Sequence, residues 1–159
     1  PGYMKSIVKV SLLALLLSSP LLTRAQNENF ILPCPLNDAI VVPPPKNVIT
    51  LDEPDLCIVL MSLPDTVVKS VGVGRVTNTE NTEETGYGVV MFSKINGKDY
   101  YFWYTGLNKL LVRRNDVVKP GQPLGYLSPG SKIELTMYEF ETPVDPVKHL
   151  DCKGVLKGF

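Results

Sequence analysis

Short apolar stretches separated by turn-forming residues recur along the second two-thirds of the chain. Residues 56–63 are an apolar run of strand length interrupted only by Ser62, and residues 66–76 alternate valine with small or polar residues. A stricter alternation follows later, where Ile133, Leu135 and Met137 would face one side of a strand and the residues between them the other. No segment shows sustained helical periodicity. The pattern predicts an all-β domain of short antiparallel strands, a sandwich or a barrel-like fold.

The clearest pair of predicted strands is residues 88–93 and 98–104. Asn96-Gly97 lies between them, and this dipeptide is the strongest short signal for a two-residue hairpin turn. The second strand carries five consecutive aromatic residues at positions 100–104, so both of its faces bear rings. We interpret one face as cross-strand packing and the other as half-exposed surface. A ligand groove lined with tyrosine and tryptophan is the alternative.

A sharp corner is predicted within residues 116–125. Pro120 fixes φ at the first corner position and Gly121 accepts positive φ at the second, as a type II turn requires. Apolar residues on both sides make this a strand–turn–strand corner rather than a linker. The residues that mark it are Pro120, Gly121, Gln122 and Gly125.

The first 25 residues have the pattern of a secretory signal peptide. Lys5 and Lys9 form a basic start, an apolar stretch follows, and small residues precede a cleavage point after Ala25. The apolar stretch is shorter than the roughly 20 residues that a membrane span needs. We expect an exported bacterial protein, periplasmic or extracellular, with no membrane span after cleavage. Residues 1–3 precede the first methionine and are set aside as an upstream remnant.

The rest of the chain divides into an arm at 26–48, a β domain at 49–152 and a tail at 153–159. The arm carries several prolines, which block helix and central strand alike, so it should be extended. We interpret it as a solvated linker rather than as a recognition motif.

The charge balance bears on the class of partner. The whole chain has 16 basic and 16 acidic residues, and removal of the signal peptide takes away three basic residues and no acid, which leaves a net charge of −3. No basic patch or arginine-rich run remains in the exported part. We therefore expect no nucleic-acid partner.

Three cysteines, Cys34, Cys57 and Cys152, remain after the signal peptide. In an exported chain two of these cysteines can form a disulfide while the third stays a thiol. The sequence does not say which two cysteines pair. Three buried thiols with no bridge are an equal alternative.

Six motifs follow one another between residues 74 and 146. They are Gly74-Arg75-Val76, Gly86-Tyr87-Gly88-Val89-Val90, Tyr104-Thr105-Gly106-Leu107, the corner, Met137-Tyr138-Glu139-Phe140 and Pro143-Val144-Asp145-Pro146. Their order and spacing resemble the LytM or lysostaphin-type zinc endopeptidases of bacterial cell walls. The corner resembles that family's "V-K-x-G-Q-x-I-G" signature, and the resemblance covers roughly residues 53–150. The resemblance implies an antiparallel β-sandwich of the duplicated-hybrid-motif kind. Active members of the family cut peptide cross-links of peptidoglycan with one zinc ion.

The zinc ligands that the resemblance implies are absent. The family takes a His and an Asp from "H-x-G-x-D" and the second His of "H-x-H", and a further His from "Y-x-H-L" assists. This chain has one histidine, His149, in the tail-proximal turn. Gly106 replaces the assisting histidine, and the vacated metal positions fall on Asp55, Val59 and Met137. Zinc needs three imidazole, thiolate or carboxylate ligands, so we expect no metal, no cofactor and no catalytic residues.

The sequence does not support either of two replacement sites. Cys57 and Cys152 with His149 lack the paired spacing of a zinc site. A cysteine nucleophile with His149 as its base lacks any sign of an orienting environment. The residues expected near the vacated groove are instead contact residues for a ligand or partner: Tyr104, Gly106, Tyr138 and Glu139, with Asp55 beside them.

The resemblance therefore implies an exported, catalytically inactive LytM-like domain. Degenerate domains of this kind bind and activate cell-wall amidases or hold proteins at the envelope, so we expect a regulatory or scaffolding role through protein–protein contacts. The alternative is a peptidoglycan- or glycan-binding module that uses the Tyr/Trp strand. An active zinc endopeptidase ranks below both. Kinship to lipoyl, biotinyl or sugar-phosphotransfer hybrid folds is weaker still, because the modified lysine and active-site histidine are missing.

Overall fold

The computed structural model describes residues 29–43 and 56–155, so the predicted signal peptide and Asp55 lie outside the described residues. These residues form short strands and one 3₁₀ helix, Pro146–Lys148. The strands are β1 Leu32–Pro33, β2 Ile40–Val42, β3 Cys57–Met61, β4 Val67–Lys69, β5 Gly74–Thr82, β6 Gly86–Ile95, β7 Lys98–Leu107, β8 Lys109–Leu110, β9 Val117–Val118, β10 Pro123–Tyr126, β11 Lys132–Glu139, β12 Thr142–Val144, β13 Leu150–Asp151 and β14 Gly154–Val155.

Most strands belong to one large sheet in the order β14-β2-β3-β11-β7-β6-β5-β9, with β12 paired to β11. A second sheet has the order β4-β10-β8, and β1 pairs with β13. The pairings are antiparallel except for β1 with β13 and β2 with β14. The predicted all-β, antiparallel fold is confirmed.

Strand β7 shows how the large sheet divides its two faces. Tyr100, Phe102 and Tyr104 are buried, whereas Tyr101 is half-buried and Trp103 is exposed. Phe102 lies opposite Met91 on β6 and Met137 on β11, so the buried face is the core face. Each such side chain removed from water contributes about 1.5–3 kcal/mol. We call the opposite side of the large sheet the open face.

The predicted hairpin joins β6 to β7 through Asn96 and Gly97. Both residues have positive φ, 51° and 81°, which is the signature of a type I′ turn. This turn sets the register of the longest strand pair, and its prediction from the sequence is confirmed.

The corner at 116–125 carries the chain from the large sheet to the small one. Strand β9 pairs with β5, and β10 pairs with β4 and β8. Between them the N–H of Gln122 donates to the Lys119 carbonyl oxygen at 3.1 Å, and Gly121 has φ of 76°. The N–H of Gly121 also donates to the carbonyl oxygen of Ser70 at 2.8 Å, which ties the corner to the end of β4.

The arm does not behave as a solvated linker over residues 29–43. Leu36 is only 1% exposed and belongs to the core, and Cys34 forms a disulfide with Cys152. This bridge spans 118 positions and ties the arm to the C-terminal strands. The linker interpretation is wrong for this segment, because its apolar residues complete the core. The domain boundaries themselves stay predictions.

Candidate functional site

The region that corresponds to the expected groove lies on the open face of β3, β11 and β7. Val59 is the cross-strand neighbour of Glu134, which in turn neighbours Thr105. A shallow depression of about 290 Å³ opens here. Its lining residues are Val59, Glu84, Thr85, Thr105, Gly106, Lys132, Ile133 and Glu134.

Met137 does not face this depression. It is fully buried on the core face together with Leu135, whereas Glu134 is exposed and Thr136 half-buried on the open face. The positions predicted for "H-x-H", Leu135 and Met137, both lie on the core face, because residues two apart on a strand share one face. The open-face pair on β11 is Glu134 and Thr136. The polar residues of the alternating pattern in this strand are the sequence signal that identifies this pair.

Val59 and Gly106 do line the depression. A Cβ atom at Gly106 would lie 2.5 Å from the carbonyl oxygen of Lys132, closer than real Cβ contacts allow. The backbone of β7 therefore approaches β11 too closely for a histidine at this position. Local packing therefore requires glycine at this position.

Tyr104 is not a groove residue. Its ring is fully buried, and its hydroxyl oxygen accepts a hydrogen bond from the N–H of Val71 at 3.1 Å. Burial raises the pKa of the Tyr104 phenol well above its usual range, an effect that the hydrogen bond from Val71 partly offsets. The phenol stays neutral and fixes the loop after β4 to the core.

Tyr138 and Glu139 take different positions. Tyr138 lies beside Tyr101 on the open face. Glu139 lies at the far end of β11, where its Oε1 is 3.0 Å from Lys98 Nζ and its Oε2 accepts from the Tyr100 hydroxyl at 3.3 Å. The structure therefore does not bring Glu139 to the depression.

The residues on the open face do not fit a catalytic zinc ion. The depression has two carboxylates in its lining, Glu84 and Glu134, and no imidazole or thiol, where three strong ligands are needed. Among the residues that the structure describes, no group of three His, Cys, Asp or Glu side chains is placed to hold a metal. The described part of the open face therefore supplies no ligand set for a catalytic metal.

The histidine and the bridged cysteines lie elsewhere. His149 stacks on Phe30 with ring centroids 4.4 Å apart, and its Nδ1 is 3.1 Å from the Phe30 carbonyl oxygen. Cys152 is bonded to Cys34, which removes it as a nucleophile or a metal ligand. His149 is a packing residue that holds the arm against the domain.

An aromatic face, which the sequence indicated only in part, lies beside the depression. It consists of Phe92, Tyr101, Trp103 and Tyr138 on neighbouring strands β6, β7 and β11. The rings of Phe92 and Tyr101 pack with centroids 5.4 Å apart. Trp103 is 38% exposed although it is one of the largest apolar side chains of the domain.

Trp103 is held in one orientation by Glu80. The indole Nε1 donates to Glu80 Oε1 at 2.9 Å. Gly88 lies between the two residues, and a Cβ atom there would be 2.8 Å from Glu80 Cγ and Oε1. The missing side chain at position 88 thus lets Glu80 lie across the sheet.

Comparisons with known proteins agree with this fold. Residues 57–146 match the model of Peptidase family M23. Similar solved structures include Csd3 of Helicobacter pylori, with a TM-score of 0.59 at 18% identity over 78% of this chain and 34% of that one. A Pseudomonas aeruginosa structure described as peptidase M23 gives 0.57 at 18% identity over 76% and 50%. Lysostaphin gives 0.51 at 19% identity over 62% and 46%.

This chain spans a third to a half of the length of these three structures, and at such identities the likeness supports the fold alone. No curated protein sequence matches it. In the described ranges, no helix has the length and apolar character to cross a membrane.

Proposed function

Because the chain belongs to peptidase family M23, we propose that it is an exported, catalytically inactive member that serves peptidoglycan remodelling by binding. Its role is regulatory or scaffolding, and it acts through contacts with another envelope protein such as a cell-wall amidase.

One observation carries this proposal. The open-face positions that flank the expected metal site hold Val59, Glu134 and Thr136, and the chain's one histidine packs on Phe30 instead. A zinc hydrolase needs its ligands and an open position for water on the same face. The scaffold is kept, but the donor set supports no metal-activated water.

The binding part of the proposal is supported by the surface that remains. Trp103 and its aromatic neighbours occupy the open face beside the depression, and tyrosine and tryptophan are enriched where proteins meet partners. A glycan-binding module is the second candidate, because saccharides also stack on aromatic rings. The export signal proposed for residues 1–25 is compatible with both.

Incubation with purified sacculi tests the proposal. We expect no release of soluble fragments at any zinc concentration, and co-sedimentation only when the partner enzyme is present. Release of peptide fragments that stops on chelation would refute the inactive state. Co-sedimentation of the chain alone would favour the glycan-binding candidate.

A further inference from the structure

The aromatic face and the charges around it define the chemistry of what binds there. Tyr101 and Trp103 project from the open face of β7, with Phe92 and Tyr138 on the strands at either side. The indole N–H of Trp103 donates to Glu80, and this bond favours one orientation of the ring. Little reordering is needed when a partner covers such a surface.

Negative charge predominates at one end of this face. Glu84 and Glu134 line the depression with Lys132 as its basic residue, and Glu80 lies against Trp103. We call Glu80, Glu84 and Glu134 the acidic rim. Carboxylates next to an exposed indole favour a cation, through charge complementarity and through attraction to the ring face.

The same observations disfavour a neutral saccharide as the occupant. The indole N–H is the ring's one hydrogen-bond donor, and Glu80 already accepts from it. A sugar hydroxyl could accept a hydrogen bond from the indole only by displacing Glu80, whereas an aliphatic side chain covers the rings without needing a donor. The negative charge of the acidic rim also adds no binding energy for an uncharged ligand.

We propose that the open face binds an extended, basic peptide segment of a partner protein, with aliphatic side chains on the aromatic face and Lys or Arg against the acidic rim. This inference rests on the proposed binding function and specifies its partner.

Fluorescence of Trp103, the chain's one tryptophan, gives a direct readout at the site. The purified full chain is titrated with a ten-residue peptide that has valine at alternate positions of one half, lysine at alternate positions of the other half and serine between them, so that valine and lysine share one face. The controls are the same peptide with glutamate in place of lysine, and an N-acetylglucosamine oligomer. We expect a saturable change in emission with the lysine peptide alone. Its binding should weaken steeply as salt is raised.

Two charge reversals identify the rim. Glu84→Lys should weaken binding of the lysine peptide about tenfold, because it exchanges an attraction for a repulsion. Glu141→Lys makes the same change in net charge in the exposed turn after β11, away from the depression, and should leave the dissociation constant unchanged. Glu134→Gln removes a rim charge without reversing it, so it should weaken binding of the lysine peptide by less than Glu84→Lys does.

The inference is overturned by equal responses to both peptides, by a response to the saccharide, or by no response at all. These outcomes are separate from the inactive state. Cleavage of wall peptides would refute the proposed function whatever the titration shows. If the chain is inactive and does not bind the lysine peptide, this inference alone is refuted.

Discussion

The indole Nε1 of Trp103 donates a hydrogen bond to Oε1 of Glu80 at 2.9 Å, across 23 positions of sequence and over an intervening strand. The bond exists because Gly88, on that intervening strand, has no side chain to block Glu80. It determines how the largest exposed ring of the open face is presented.

Substitutions at Glu80 and Gly88 should act on this bond and little on stability. Glu80→Leu removes the acceptor, Gly88→Ala displaces it, and Glu80→Gln keeps an acceptor oxygen. The single indole N–H signal in NMR spectra should therefore exchange with solvent faster in the first two variants than in wild type or Glu80→Gln. Equal exchange in all four proteins would show that the bond does not hold Trp103.

Removal of the Tyr104 hydroxyl should destabilise the domain. Tyr104→Phe leaves the buried N–H of Val71 without its acceptor, which costs about 1–3 kcal/mol. Tyr101→Phe removes the same atom from a half-buried position on the open face and should change the unfolding free energy by less than about 0.5 kcal/mol. Urea unfolding compares the two, and equal losses would contradict the assignment of Tyr104 to the core.

The Cys34–Cys152 bridge should contribute substantially to stability, because it closes a loop across most of the domain. Replacement of both cysteines by serine should lower the unfolding free energy by about 2–5 kcal/mol. Cys57→Ser is the control, since Cys57 lies outside the bridge. Alkylation before reduction should label Cys57 alone; label on Cys34 or Cys152 would contradict the pairing.

The two glycines of the corner have different structural roles. Gly121→Ala forces alanine to positive φ with no neighbour within 4 Å, at a cost of about 1–2 kcal/mol. Gly125→Ala instead places a Cβ atom against the carbonyl oxygen of Lys109 and should disrupt the pairing of β10 with β8. Thermal unfolding should therefore show the larger loss for Gly125→Ala, and the reverse order would contradict this account of the corner.

The strands could be predicted from local patterns, because the turn and alternation signals involve only residues that are close in sequence. The Asn96-Gly97 turn and the alternation through Ile133 and Leu135 were sufficient because turn geometry and the pleat are short-range properties. The two faces of the aromatic strand followed from the same rule. The buried Tyr100 and the exposed Trp103 are as that rule predicts.

Contacts between distant residues were not predictable in this way. The pairing of Cys34 with Cys152 depends on two parallel strand pairs that join the ends of the domain, and the burial of Leu36 depends on the same packing. Met137 is a different case. Its place on the core face agrees with the apolar alternation of residues 133–137, whereas a motif without its histidines gives no anchor for aligning this strand with the family's.

Zinc content tests the central claim, an M23 scaffold without its metal chemistry, most directly. The purified chain is equilibrated with excess zinc, passed through a desalting column and measured by elemental analysis, with a catalytically active M23 peptidase treated in parallel. The donor set of Val59, Glu134 and Thr136 predicts far less than one zinc per chain, against one per chain in the active peptidase. One tightly bound zinc per chain, lost on chelation together with hydrolysis of wall peptides, would contradict it.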